Sequence, residues 1–198
     1  MSDAFIVIDV QNDFCPSGAL AVAGGDEIIP GINATMGEFA LTVLTQDWHP
    51  AGHSSFASSH AGKAPFDVTE MPYGPQVLWP DHCVQGSDGA AFHAGLATDP
   101  ADLIIRKGCN GDVDSYSAFF ENDHVTPTGL HGYLQTRGVT RLVMAGLATD
   151  FCVNFSCVDA AKLGYEVELR HALCRAIDLD GSLQAAMDGM KAAGVRIV

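Results

Sequence analysis

Short apolar runs alternate with amphipathic stretches along most of this chain, and three of those stretches end at a glycine, Gly138, Gly164 and Gly194. Ala4–Val10, Leu41–Asp47, Leu103–Arg106, Arg141–Gly146, Tyr165–Leu169 and Val195–Val198 read as six strands. Asp26–Phe39, Thr128–Arg137, Asp150–Leu163 and Gly181–Ala193 read as helices. The glycines sit where the residue after a helix belongs, and each leads within a few residues into the next strand. A repeated strand–helix unit folds into a parallel sheet, wound by right-handed crossovers and covered by helices on both faces. The expected class is therefore α/β, a three-layer α/β/α arrangement around a six-stranded, mostly parallel sheet. Ligands of such folds bind beyond the carboxyl ends of the strands, so the chemistry is sought there.

One segment breaks the pattern. Between about residues 48 and 101 no strand or helix is evident, yet the stretch carries five histidines, six prolines and both tryptophans of the chain. A structureless loop this long inside a compact domain is usually functional. The 198 residues are thus read as one domain, residues 1–198, with a long loop insertion.

Composition narrows the partners. Twenty-four acidic against ten basic residues give a net charge of −14. Such a surface repels phosphate, which argues against nucleic acid and anionic membrane as partners. No apolar run reaches the length of a membrane-spanning helix. The start MSDAFIVIDVQNDF lacks a basic leader segment, so a cytoplasmic location is expected. The six cysteines form no CxxC pair, which removes the zinc-ribbon and thioredoxin motifs. Glycine-rich dinucleotide and phosphate-binding loops are absent too, leaving a nucleotide cofactor unsupported. A homo-oligomer is compatible with the sequence and not required by it.

The strand ends hold four points of interest. Asp9 closes the first strand, as a general base facing the ligand crevice or as a loop cap. Asp47 and His49 close the second. Two apart on an extended chain, they face the same way, as two metal ligands or as a surface pair. His82, in the long loop, is the best third donor; two imidazoles and a carboxylate suit zinc, iron or manganese. Lys107 ends the third strand, where a solvated lysine is the ordinary alternative. Cys152 sits just inside a helix start after the fourth strand. Free backbone N–H groups and the helix dipole there are expected to lower its pKa and favour the thiolate, whereas Cys157 reads as structural.

Taken in order, five blocks resemble the nicotinamidase branch of the isochorismatase-like cysteine hydrolases: Ile8–Phe14, Asp47–Pro50 with His53–Phe56, Trp79–Val84, Arg106–Gly108 and Gly146–Val153. The resemblance covers nearly the whole chain. It implies a catalytic triad of Asp9, Lys107 and Cys152, and an oxyanion hole from the backbone N–H groups of Ala148 and Cys152. It implies a cis peptide at Leu147–Ala148. It also implies one divalent metal ion, zinc first and iron or manganese next, on Asp47, His49 and His82, with Ser54 helping to complete the shell and His53 nearby. Phe14, Trp79 and Tyr116 match pocket positions. The implied reaction is hydrolysis of nicotinamide to nicotinate and ammonia in NAD salvage, with pyrazinamide as a further substrate. Two rivals stand beside it: a metal-free relative acting on isochorismate or an N-carbamoyl compound, and a catalytically inactive binding module.

Overall fold

The structure, a computed structural model, describes residues 2–198. Six strands form one sheet: β1 (Ser2–Ile8), β2 (Thr42–Asp47), β5 (Leu103–Lys107), β6 (Val139–Leu147), β7 (Glu166–Arg175) and β8 (Arg196–Ile197). Their spatial order is β5-β2-β1-β6-β7-β8, and every pairing is parallel. Four helices connect them: α1 (Ile29–Met36), α2 (Leu130–Thr136), α3 (Asn154–Lys162) and α4 (Ser182–Ala192). Strand β7 is packed by α1 and by α3. The chain winds from β1 outward to β2 through α1, and from β6 in the opposite direction to β7 and β8. Right-handed crossovers then place α1 on one face and α3 and α4 on the other, the expected three layers.

Burial follows. Residues 4–8 of β1 and 142–147 of β6 are buried without interruption, as expected of strands covered on both faces. Because the winding direction reverses between β1 and β6, a crevice opens beyond their carboxyl ends.

The structure departs from the sequence expectation in several places. The insertion contains an antiparallel hairpin, β3 (Val68–Met71) with β4 (Gly74–Val77). Pro75 lies inside β4 and Pro72 in the turn, and prolines erase the strand signature. Strand β7 continues to Arg175, past a register shift opposite Met144–Gly146. The expected helix from Asp150 begins instead as a π turn, Thr149–Val153, before α3. Helix α1 is shorter than expected, with Pro30 in its first turn and residues 26–28 in a turn ahead of it. Among the described residues no helix is long and apolar enough to cross a membrane.

Candidate active site

Four adjacent strands deliver four side chains to the crevice. Asp9 follows β1, Asp47 ends β2, Lys107 ends β5, and Cys152 lies in the π turn after β6. All four are buried. The Lys107 ammonium is the hub: Nζ lies 2.9 Å from Asp9 Oδ2, 2.9 Å from Asp47 Oδ1 and 3.4 Å from Cys152 Sγ, and it donates to the Ser115 carbonyl at 2.9 Å. Three donors on a compact ammonium suit such a junction. Asp9 adopts φ 48°, a left-handed conformation that aspartate tolerates better than most residues. Thr45 on β2 fixes it twice: the hydroxyl donates to Asp9 Oδ1 at 2.6 Å and accepts from the Asp9 backbone N–H at 3.1 Å. The second oxygen, Oδ2, is left facing the Lys107 ammonium.

Asp47 also looks toward the long loop. Its Oδ2 lies 2.9 Å from His49 Nε2 and 3.3 Å from His82 Nε2. Both imidazoles are held in orientation through Nδ1. His49 Nδ1 meets the Gly108 carbonyl at 3.0 Å and His82 Nδ1 meets the Pro80 carbonyl at 2.8 Å. A carbonyl only accepts, so each Nδ1 carries a proton, and each Nε2 is turned to the Asp47 carboxylate, where loss of its own proton would leave a lone pair for a metal. At Gly108, with φ +66°, a side chain would collide with the His49 ring, so only glycine lets this carbonyl come so close. The donor separations approach the ~3.4 Å edge of a tetrahedron built on zinc–ligand bonds of about 2.1 Å. These three residues therefore fit a divalent metal ion. A second constellation, His49, His53 and Asp114, shares His49. In it His53 is already engaged at both nitrogens, with Ser55 Oγ at 2.8 Å and the Asn110 carbonyl at 2.8 Å. Ser54 keeps a buried hydroxyl without a sound hydrogen bond and does not line the pocket.

A pocket of about 320 Å³ joins the two halves. Asp47, His49 and His82 line it, as do Cys152 and Ala148, and Phe14, Trp79 and Tyr116 form aromatic wall. Every predicted site residue except Asp9, Lys107 and Ser54 thus faces one cavity, and Asp9 and Lys107 stand directly behind its thiol. The Leu147–Ala148 peptide is cis.

A family model described as the isochorismatase domain matches residues 3–198. The chain belongs to the isochorismatase family. Among its relatives, a nicotinamidase of Acinetobacter baylyi is 54% identical over 193 residues, covering 98% of this chain and 90% of that protein. The solved structure of an Acinetobacter baumanii nicotinamidase and pyrazinamidase is 51% identical and superposes with a TM-score of 0.99, over 100% of this chain and 95% of that one. A Pyrococcus horikoshii pyrazinamidase solved in complex with zinc is 36% identical, with a TM-score of 0.80, over 100% and 99% of the two chains.

The structure also corrects and extends the reading of the strand ends. The Cys152 thiol was expected to lie low in pKa. Burial instead pushes it well above its ordinary value, Asp9 and Asp47 push the same way, and only Lys107 opposes. The helix dipole is no substitute for solvent at a buried sulfur, so the thiol rests protonated beside Asp9. Burial likewise raises Asp9, against the pull of Lys107. Burial works to raise Asp47 as well, but His49 and Lys107 hold it well below the usual carboxylate range. Sequence reading missed Leu20, Asp114, Phe151 and Ile177 of the pocket lining. Phe151 and Asp114 lie one and two residues from predicted site residues. Ile177 follows the true end of β7, where the strand-end rule finds it once the strand is given its full length. Gln11, inside the first block, was also missed: its side chain accepts from the Asp47 backbone N–H at 2.7 Å and donates to the Asp47 carbonyl at 2.8 Å.

Proposed function

We propose that this protein hydrolyses nicotinamide to nicotinate and ammonia, with pyrazinamide as a second substrate. One observation carries the reading: a single aromatic-walled pocket presents a thiol backed by a carboxylate and an ammonium on one side, and a three-donor metal set on the other. In the proposed reaction Asp9 takes the Cys152 proton and Sγ attacks the amide carbonyl carbon. The backbone N–H groups of Ala148 and Cys152 hold the resulting oxyanion. Asp9 returns the proton to the amide nitrogen, the C–N bond breaks, and ammonia leaves a thioester on Cys152. A water molecule deprotonated by Asp9 then attacks the thioester carbon, releasing nicotinate and restoring the thiol. Lys107 offsets the negative charge that passes between sulfur and carboxylate. A divalent ion on Asp47, His49 and His82, zinc first and iron or manganese next, supplies a Lewis-acidic anchor for the pyridine nitrogen when bound.

The donor set of Asp47, His49 and His82 favours this reading over the metal-free hydrolases of the same family, since isochorismate offers no ring nitrogen to a metal held there. The intact Asp9–Lys107–Cys152 cluster disfavours an inactive module. Ammonia release from nicotinamide by the purified protein is the test. Cys152→Ala is expected to abolish release with an unchanged melting temperature, and Cys157→Ala to retain it. Turnover by Cys152→Ala near the wild-type rate would remove the covalent mechanism, and a preference for isochorismate would remove the assignment.

A further inference from the structure

The connection from β7 to α4 brings Ile177 to the pocket wall. Asp178, Asp180 and Gly181 follow it with φ 56°, 50° and 84°, and both aspartates are exposed. Non-glycine residues keep this left-handed conformation only where neighbouring contacts fix it. Here the contacts come from Asp150, a buried residue of the π turn that also bears Cys152. Its Oδ1 accepts the Ile177 backbone N–H at 3.1 Å, and its Oδ2 accepts the Asp178 backbone N–H at 2.7 Å and the Ser182 hydroxyl at 2.5 Å. A carboxylate has about four acceptor sites, so all three bonds can form together, and the two backbone donors cannot reverse. Asp178 passes the restraint on, since its Oδ1 accepts the Leu183 N–H of α4 at 3.3 Å. Asp150 itself stands behind the wall and not in it.

We infer that Asp150 is a positioning residue for substrate selection: it pins Ile177 to the pocket, and the pinned Ile177 limits the size of the ring that the pocket accepts. The inference rests on the proposed hydrolysis of nicotinamide. Leu20 and Ile177 are the two long aliphatic residues of the lining, and they are tethered differently. The Leu20 N–H donates to the Asp13 backbone carbonyl at 3.0 Å, a bond that no side-chain change removes. The Ile177 N–H is held by a side chain alone, so its stretch of wall is the one that a single substitution can release. A β-branched side chain has few conformations to choose from. Once the Ile177 backbone is fixed its bulk is fixed too, and it excludes a larger ring instead of adapting to it. Asparagine in place of Asp150 would offer one acceptor oxygen and turn an NH2 toward N–H donors, and so could not keep all three bonds.

The probes are nicotinamides carrying one methyl group at each free ring carbon in turn. The readout, from ammonia release, is the ratio of kcat/KM for nicotinamide to that for each methylated ring. One methyl group without room in an apolar pocket lowers kcat/KM about tenfold or more. The wild type is expected to show such a ratio for at least one isomer, and Ile177→Ala to bring it below about threefold. Asp150→Asn is expected to lower the ratio for the same isomer, and the double variant to match Ile177→Ala, because the two residues act as one. A merely structural loss would lower all rates alike and leave the ratios in place. Ser182→Ala, which removes one bond to Asp150, is expected to lower the same ratio in part and serves if Asp150→Asn does not fold. A wild type indifferent to ring methylation overturns the inference, as do wild-type ratios in Ile177→Ala or in the folded variant at Asp150 or Ser182. So does a double variant whose ratio falls below that of Ile177→Ala, since Asp150 would then act by another route. A wild-type protein that releases no ammonia overturns the proposed function itself, whereas an active wild type with unaltered ratios in the variants overturns the inference alone.

Discussion

Lys107 touches more negative groups than it can neutralise, and the Asp9 and Cys152 protonation states follow from that shortage. Two carboxylates and a thiol share one ammonium in a buried site, so the three are not all ionised together. Burial raises both Asp9 and Cys152, and the charge settles on Asp47. A base must lose its proton before it can accept another. Activity in the proposed reaction therefore appears as pH rises through the elevated Asp9 value, and the acid limb of kcat/KM is expected above the ordinary 3.8. The Thr45 hydrogen bond lowers Asp9, so Thr45→Val should move that limb to higher pH and Thr45→Ser should leave it in place. A pH–rate profile of the three proteins checks this, and a limb that moves to lower pH in Thr45→Val contradicts it. At this scale much was legible beforehand. Asp9, Asp47, His49, Lys107 and Cys152 sit at strand ends, and strand ends show in the hydrophobic pattern. The thiol pKa was not legible, because it depends on how much water reaches the sulfur, a property of packing between segments far apart in sequence.

Among elements, β7 shows how a parallel strand carries a charge. Glu168 is buried within it and collects Arg141 from β6 at 2.7 Å, Arg170 at 2.6 Å and Arg196 of β8. Burial alone would raise its pKa, but the hydrogen bonds from Arg141 and Arg170 and the charges of Arg196 and Arg170 outweigh it and hold the carboxyl below 4.5. A depressed carboxyl stabilises the fold fully above its unfolded value, and that stability is lost as pH falls through the lower folded value. Acid unfolding of the wild type should therefore show a contribution below about pH 4.5 that Glu168→Gln lacks. The guanidiniums are partly open to solvent, so screening limits the cost of Glu168→Gln at neutral pH to about 1 kcal/mol. Chemical denaturation across pH measures both. The six sheet strands were each anticipated, five of them to within two residues at either end and β7 short by six at its carboxyl end, since an apolar run covered on both faces is a strong signal. The hairpin was not, because its two strands are four residues each and at least partly exposed at every position but one, with a proline in one of them.

In the whole molecule, the long insertion and the sheet meet at Asp47, His49 and His82. His49 lies just past β2, and its backbone N–H and carbonyl pair with Cys83 and Gln85 at 3.0 and 2.9 Å. His82 arrives from the same loop, and Trp79 pairs with Ser55 across it at 2.8 Å. A metal ion held there would clip the loop to the strand ends. Chelation, or His49→Ala, is expected to raise hydrogen exchange within residues 48–101 more than in β1 or β6. Stoichiometric metal and full activity in His49→Ala would remove the ligand assignment. The four side chains gathered at the crevice come from positions 9, 47, 107 and 152, and their order along the chain has its own consequence. Asp47, His49 and His82 lie in the first half, whereas the thiol belongs to a turn that follows β6. A chain emerging from the ribosome has therefore made every proposed metal donor long before the proposed nucleophile exists. Its reactive centre closes only with the most distant contacts, which are the slowest to form. No earlier fragment of the chain carries both the pocket and the sulfur.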